Sequence, residues 1–150
     1  MDLILWRHAE AEEGANDLAR ELTAKGQKQA ARVAEWLLQR LPSRVLLISS
    51  PAARAQQTAQ ALGVSSKTVK EIAPGASVSA ILKAAGWPDY KGTVVLVGHQ
   101  PDLGQAAAFL VTGSSGGLSI KKGGLWWLSD RVRGEDTQVV VRAVLSPDLL

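Results

Sequence analysis

Two histidines and two arginines stand where the sequence changes from apolar to polar. Arg7 and His8 directly follow the first apolar run of the chain, His99 follows the third, and Arg54 comes shortly after the second. The chain has no other histidine. Guanidinium groups match the geometry of phosphoryl oxygens, and an imidazole can attack phosphorus to form a covalent phosphohistidine. If the fold brings these residues together, they favour a compact phosphoryl pocket and phosphoryl-transfer chemistry.

The apolar runs predict the strands that must position these residues. Residues 3–6, 45–48 and 94–97 are continuous apolar runs bounded by polar residues or turn formers, a pattern typical of parallel strands buried on both faces. The two histidines stand immediately after the first and third of these runs. Because ligands of open α/β sheets bind at the carboxyl ends of the strands, we expect one shared site there.

Helical patterns occupy the segments between the predicted strands. An apolar stripe with Thr23 as the N-cap predicts a helix over residues 23–40. Ser50 as the cap and Pro51 as the first helical residue predict a second helix that ends near residue 62. Further helices are predicted between Pro101 and Gly113 and over residues 77–85.

The C-terminal part of the sequence has the character of strands. Residues 125–128 and 139–145 predict two strands, and residues 133–136 predict a turn, so we expect a hairpin that joins the sheet. Strands that alternate with helices predict an α/β fold, here a three-layer sandwich with a mostly parallel central sheet and helices on both faces. The length is that of one domain, and we expect residues 1–150 to form a single domain.

Composition and charge narrow the range of functions. The chain is 46% hydrophobic and 21% charged, which is typical of globular proteins and excludes a disordered chain. It has no cysteine, which excludes a disulfide scaffold, a zinc ribbon and a cysteine nucleophile. The net charge of +3 is a small surplus without a Lys/Arg cluster of the nucleic-acid type, and no apolar run is long enough to span a membrane. We expect a cytoplasmic protein that binds neither nucleic acid nor membranes.

A metal site is an alternative use of the histidines, with Glu10, close to His8, as a further ligand. Neither histidine belongs to an H-x-H or H-E-x-x-H pattern, so the sequence does not favour a metal. The five tryptophans lack interleaved basic residues and are interpreted as core or rim residues rather than as a base-stacking surface. We expect no cofactor and no metal.

Four motifs, in order along the chain, carry a resemblance to a known family. They are LWRHA at residues 5–9, LTAKGQKQA at 22–30, SSPAARAQQTA at 49–59 and VGHQP at 97–101. These motifs resemble the signatures of the histidine phosphatase superfamily, whose fold is phosphoglycerate-mutase-like. Within that superfamily, the short chain, Ala9 in place of the usual glycine and the short segment 63–93 are similar to the SixA-type phosphohistidine phosphatases. The short segment implies a minimal cap and an open cleft.

The resemblance implies roles for the candidate site residues. His8 is the nucleophile that becomes transiently phosphorylated. Arg7, Arg54 and His99 bind the phosphoryl oxygens and stabilise their charge. Arg20 is similar to an additional phosphate-binding arginine of the SixA type, with a plain surface charge as the alternative.

The general acid of the larger family members has no clear counterpart in this sequence. Asp17 and Glu71 are the two candidates. Imidazole leaves phosphorus with less help from a proton donor than a sugar alkoxide needs, so the missing acid and the open cleft both favour a phosphohistidine substrate. The favoured function is therefore hydrolysis of phosphohistidine on a partner protein domain, through a covalent intermediate at His8. A small-molecule phosphomonoesterase and a non-catalytic phosphoryl-binding module are the alternatives.

Overall fold

Six strands and four α-helices make up the fold, which a computed structural model describes for all 150 residues. None of the helices combines the length and the apolar character needed to cross a membrane. In chain order the elements are β1 (Asp2–Arg7), α1 (Ala24–Leu38), β2 (Val45–Ser49), α2 (Ala53–Gln60), β3 (Ser66–Thr68), α3 (Val78–Ala85), β4 (Thr93–Gly98), α4 (Asp102–Thr112), β5 (Leu125–Arg133) and β6 (Asp136–Leu145).

The strands form one sheet in the order β3-β2-β4-β1-β5-β6. The pairs β1–β4, β4–β2 and β2–β3 are parallel, whereas β5 pairs antiparallel with both β1 and β6. The predicted mostly parallel α/β sheet and the predicted C-terminal hairpin are therefore confirmed. The edge strand β3 was not predicted, because its three exposed polar residues carry no apolar pattern.

The core lies on both faces of the sheet, because successive side chains of a strand point to opposite faces. Ile4 and Trp6 of β1 are buried in the cluster that includes α1 and α2. Leu3 and Leu5 are buried in the cluster that includes α3 and α4. Burial of each such side chain stabilises the fold by about 1.5–3 kcal/mol. The predicted three-layer arrangement is confirmed.

The start of α2 differs from the prediction. Ser50 was predicted as the helix cap and Pro51 as the first helical residue, but α2 begins at Ala53, with Ala52 in the cap position. The Ser50 hydroxyl accepts a hydrogen bond from the Ala52 amide at 3.2 Å, and it also lies 2.7 Å from a ring nitrogen of His99. The Ser50 hydroxyl therefore bonds to the turn before α2 and to the histidine that follows β4, and it does not cap the helix.

A glycine in the first turn of α1 allows the helix to lie directly against the segment that follows β1. A β carbon at Gly26 would lie 2.0 Å from the carbonyl oxygen of Glu10. We expect Gly26→Ala to lower the free energy of unfolding by about 1–3 kcal/mol or more, because the helix or the segment must shift. Urea denaturation measures this change. The matched control is Gly116→Ala, where no atom lies within 4 Å of the added carbon; equal urea midpoints for the two variants would contradict the close approach.

Candidate active site

The predicted site residues meet in one pocket at the carboxyl ends of three neighbouring strands. Arg7 is the last residue of β1, and His8 follows it, while His99 directly follows β4. Arg54 lies in the first turn of α2, the helix that follows β2. These four residues and Arg20 all line a pocket of about 390 Å³. The sequence prediction that the segments converge agrees with this geometry.

Arg54 lies between the two histidines. The ring centroids of His8 and His99 are 5.2 Å apart. The Nε of Arg54 donates to Nε2 of His8 at 3.3 Å, and its Nη2 lies 3.5 Å from Nδ1 of His99. Arg54 is only 3% exposed, so its charge acts in a site with little solvent screening. The arrangement concentrates positive charge beside two imidazoles.

The surroundings of His8 select one tautomer and keep the ring neutral. Its Nδ1 lies 2.7 Å from the carbonyl oxygen of Ala9, which can only accept, so Nδ1 carries the proton and donates it. Nε2 therefore keeps its lone pair, which faces Arg54. Burial lowers the pKa of His8 to about 4, and the nearby Arg54 and Arg7 add to the effect. At neutral pH the ring is uncharged and Nε2 is free of a proton, the state that a nucleophilic imidazole requires.

His99 is held in the opposite tautomer. Its Nδ1 faces a guanidinium nitrogen of Arg54, which only donates, so Nε2 carries the proton and donates to the Ser50 hydroxyl at 2.7 Å. Burial lowers the pKa of His99 to about 3, and the positive charges of the site contribute. Ser50 was predicted as a helix cap at the end of the second strand, without a role beside His99. Its place directly after β2, at the edge where the histidines stand, is the signal that identifies it as a site residue.

The geometry supports neither Asp17 nor Glu71, the two candidates, as the general acid. The Asp17 carboxylate accepts from Nη2 of Arg54 at 3.1 Å and from two nitrogens of Arg20 at 2.9 and 3.1 Å. These bonds lower the pKa of Asp17, so at neutral pH it is ionised and holds no proton to give. Glu71 is exposed and does not line the pocket. Asp17 instead orients the two arginines.

Arg20 and Arg7 contact the pocket in different ways. Arg20 is bound to Asp17 and also donates to the backbone carbonyl of Glu12 at 3.2 Å, so it is not a plain surface charge. Arg7 donates from Nη1 to the carbonyl of Ile120 at 2.7 Å. Its buried Nε has no hydrogen-bond partner. Both guanidinium groups are held in place by protein oxygens at the pocket wall.

Two motif residues, Thr58 and Gln29, hold the backbone that follows His8. Thr58 accepts from the amide of Ala9 at 3.0 Å and donates to the carbonyl of Arg54 at 2.7 Å, which links the segment after His8 to α2. Gln29 of α1 accepts from the amide of Glu10 at 3.0 Å. These buried or half-buried bonds fix the backbone directly after His8 and so hold the position of its side chain.

Asp102 fixes another wall of the pocket. Its carboxylate accepts from the amides of Gly75 and Ala76 at 2.8 and 3.1 Å, and burial raises its pKa. Pro74 and Gly75 are the only residues between positions 63 and 93 that line the pocket. The segment between positions 63 and 93 therefore contributes only a short wall to the pocket, which agrees with the minimal cap that the sequence predicts.

Acid is expected to destabilise the fold through the two buried histidines. In the folded chain their pKa values are about 4 for His8 and about 3 for His99, below the ordinary value of 6.5. As the pH falls from about 6.5 to about 4, the unfolded chain binds protons that the folded chain does not. The free energy of unfolding then falls by at most about 1.4 kcal/mol per pH unit for each histidine, and this contribution is complete above about pH 6.5.

Urea denaturation at a series of pH values between about 7.5 and 4.5 measures this effect. The double variant His8→Gln/His99→Gln serves as the control, because it keeps polar side chains of similar size but cannot titrate. Its unfolding free energy is expected to depend less steeply on pH than that of the unmodified chain. Identical slopes would mean that the histidines are not held neutral by the fold.

Comparisons with known proteins identify the family of the chain. The model of the histidine phosphatase superfamily (branch 1) matches residues 3–75. A curated relative, an uncharacterized protein of Picosynechococcus sp., is 37% identical, with the alignment covering 83% of this chain and 82% of that protein. A homologue of the phosphohistidine phosphatase SixA from Haemophilus influenzae is 44% identical over 64 residues, 39% of each chain.

The solved structures extend the similarity over the whole chain. A SixA phosphohistidine phosphatase candidate from Nakamurella multipartitia superposes with a TM-score of 0.83 and 30% identity, covering 97% of this chain and 95% of that chain. The similarity therefore includes the C-terminal hairpin, which lies beyond the residues that the family model matches. The chain belongs to the histidine phosphatase superfamily, its relatives there include proteins of the SixA type, and it is a phosphatase.

Proposed function

We propose that this phosphatase hydrolyses phosphohistidine on partner proteins and that His8 is phosphorylated during the reaction. The observation that carries the proposal is the state of His8: a neutral imidazole whose Nε2 lone pair points at Arg54 inside an electropositive pocket. A phosphoryl group bound there would place its phosphorus against an activated nitrogen and its oxygens against guanidinium groups.

The reaction has two displacements. In the first, the Nε2 lone pair of His8 attacks phosphorus, the N–P bond of the substrate breaks, and the departing imidazole takes up a proton from solvent. In the second, water attacks the phosphorus on His8, the new N–P bond breaks, and inorganic phosphate leaves with the oxygen of that water. His8 returns to its starting tautomer because Nδ1 keeps its bond to the carbonyl of Ala9 throughout.

Arg7, Arg54, Arg20 and His99 are proposed to bind the phosphoryl oxygens. Nε of Arg54 now donates to His8, and a phosphoryl oxygen that replaced this acceptor would release the nucleophile at the moment of binding. Nε of Arg7 is buried without an acceptor, and burying such a donor unpaired costs about 1–3 kcal/mol. An oxygen of the substrate that accepted from it would remove this cost, which supports a role for Arg7 in binding.

Two features of the pocket favour a phosphohistidine over an alkyl phosphate. Three acidic residues line the pocket. Asp17 is ionised in its bonds with two arginines, and the Asp102 carboxylate is occupied by two backbone amides, so neither is placed as a dedicated proton donor. The third, Glu13, is exposed to solvent. An imidazole leaving group needs such a donor less than an alkoxide does. The short wall at Pro74 and Gly75 leaves room for a side chain that projects from another protein. The SixA name of the Haemophilus influenzae relative supports the same substrate class.

A comparison of substrates tests the proposal. The purified protein is assayed on a peptide that carries phosphohistidine and on sugar phosphates. We expect kcat/KM to be at least about a hundredfold higher on the peptide, since the leaving group needs little acid help. The reverse preference would favour a small-molecule phosphomonoesterase. Binding of inorganic phosphate without turnover of any substrate would favour a non-catalytic module.

A further inference from the structure

A basic groove lies beside the active-site pocket. Its volume is about 710 Å³, against about 390 Å³ for the pocket, and no hydrophobic residue lines it. Six basic side chains line this groove: Arg7, Lys25, Lys28, Arg32, Lys121 and Lys122. They come from three separate parts of the sequence, so only the fold gathers them.

The net positive charge of the molecule is concentrated in this groove. It holds six of the 17 basic residues of the chain and two of the 14 acidic residues, Glu10 and Asp148. The rest of the molecule therefore has 11 basic and 12 acidic residues, so the whole positive surplus is local to the groove. Such a local excess of one sign attracts oppositely charged partners over several ångströms.

Most of these basic groups have no acidic partner within the chain. Lys121 pairs with Asp148 at 3.3 Å. Lys25, Lys28 and Arg32, all exposed on α1, form no salt bridge. Glu10 accepts from the Thr23 hydroxyl at 2.8 Å. The groove is thus a surface of available positive charge rather than an internal ion-pair network.

The basic groove adjoins the active-site pocket. Arg7 and Lys122 line both. A molecule whose phosphoryl group occupied the pocket would therefore have its neighbouring parts close to the groove. Because the two cavities share these residues, a substrate of the active site is the expected occupant of the groove.

The shape of the basic groove indicates an extended acidic surface as its occupant. Lys25, Lys28 and Arg32 follow a helical spacing of three and four residues, which forms a row about 10 Å long on α1. A single second phosphate would contact only part of such a row. No aromatic side chain lines the groove, so a nucleotide base has no stacking partner there. Rows of exposed lysines act mainly through long-range attraction, which suits recognition of another protein.

We infer that the basic groove docks an acidic surface of the protein that carries the phosphohistidine. This inference rests on the proposed function, because it assigns a partner to the same active site. Acidic residues that flank the phosphohistidine would lie along Lys25, Lys28 and Arg32 while the phosphoryl group enters the pocket. Lys25, Lys28 and Arg32 would raise the rate of productive encounter without taking part in the chemical steps.

Two synthetic phosphohistidine peptides test the docking, one flanked by glutamates and one by glutamines. For the unmodified protein at low salt, we expect kcat/KM to be about tenfold higher on the glutamate peptide. The preference is expected to shrink as ionic strength rises from about 50 to about 300 mM, because salt screens exposed charges. Absence of the preference at low salt would overturn the inference. This experiment uses only the unmodified protein, so its result does not depend on the folding of a variant.

Charge reversal locates the preference on the groove. In Lys25→Glu/Lys28→Glu/Arg32→Glu, the ratio of the two kcat/KM values is expected to fall to about one or below. The matched control is Lys83→Glu/Arg131→Glu/Arg133→Glu, which makes the same change in net charge at exposed positions outside the groove. A control that lost the preference equally would show an effect of total charge and would overturn the inference. Circular dichroism checks that both variants fold.

The outcomes also separate the inference from the proposed function. Hydrolysis of both peptides at equal rates would overturn the docking and leave the proposed function standing. Hydrolysis of neither peptide, together with turnover of sugar phosphates, would overturn the proposed function and the docking with it.

Discussion

His8→Ala is expected to lower kcat/KM on phosphohistidine substrates by about 10⁴-fold or more and to leave the fold intact. The reason for the large effect is that the Nε2 lone pair is the only nucleophile the proposed reaction uses in its first step. The reason for the intact fold is that the His8 side chain makes few structural bonds: its Nδ1 contacts the carbonyl of the next residue, and its Nε2 accepts from Arg54. Its backbone amide, which donates to the carbonyl of Gly98 at 3.0 Å, stays in the variant.

Rapid-quench labelling directly measures whether phosphate becomes covalently bound to His8. With a peptide that carries radioactive phosphohistidine, the unmodified enzyme is expected to accumulate label that is lost in acid and kept in alkali, the stability of an N–P bond. The His8→Ala variant is expected to carry no label, although its thermal unfolding remains cooperative. Turnover of the variant at the unmodified rate, or equal label on it, would rule out the covalent route through His8.

The fold was predictable from the sequence because its strongest signals are apolar. The runs at residues 3–6, 45–48 and 94–97 are the strands β1, β2 and β4, and the structure extends each of them only by one or two residues. Parallel central strands are buried on both faces, which makes such runs continuous and easy to recognise. Strand β3 lacked this signal, because its three residues are exposed and polar and are held mainly by backbone pairing with β2.

The sequence predicted which residues at the strand ends form the candidate site. It did not predict which side chains they contact. Arg7, His8 and His99 stand at the ends of strands, so the topology of the sheet places them together. Asp17 was one of two candidates for the proton donor, whereas its carboxylate bonds to two arginines, which lower its pKa. Ser50 was expected to cap a helix, but the turn to α2 brings its hydroxyl to His99. Contacts of this kind depend on tertiary geometry that no spacing along the chain encodes.

The position of the basic groove could not be predicted from the sequence either. A surplus of three charges in 150 residues gives no indication of where the charge lies. The helical period of α1 and the return of the chain at residues 121 and 122 place the basic residues on one wall beside the site. Net charge from composition therefore describes solubility, while the distribution set by the fold decides which partners are attracted.

Arg54→Ala is expected to remove at least about 2–3 kcal/mol of transition-state stabilisation, a loss of about 30- to 150-fold in kcat/KM. Arg54 is buried, and its guanidinium is held against the carbonyl and the carboxylate of Asp17 at 2.6 and 3.1 Å. A donor fixed before the reaction needs no rearrangement when charge develops on the phosphoryl oxygens. Arg54→Lys keeps the charge but not the planar set of donors, so it is expected to recover only part of the rate.

A spectroscopic readout separates this role from a merely structural one. Because the charge of Arg54 helps to lower the pKa of His8, the pKa of His8 is expected to rise in Arg54→Ala above its value of about 4, and NMR titration of the imidazole measures it. The matched control is Arg44→Ala, an exposed arginine without a salt bridge, for which both kcat/KM and the pKa of His8 are expected to stay unchanged. If Arg54→Ala kept the unmodified kcat/KM, Arg54 would have no contact with the reacting group. If it lost rate without any change in the pKa of His8, the charge of Arg54 would not act on that imidazole, which would contradict the contact between the two side chains.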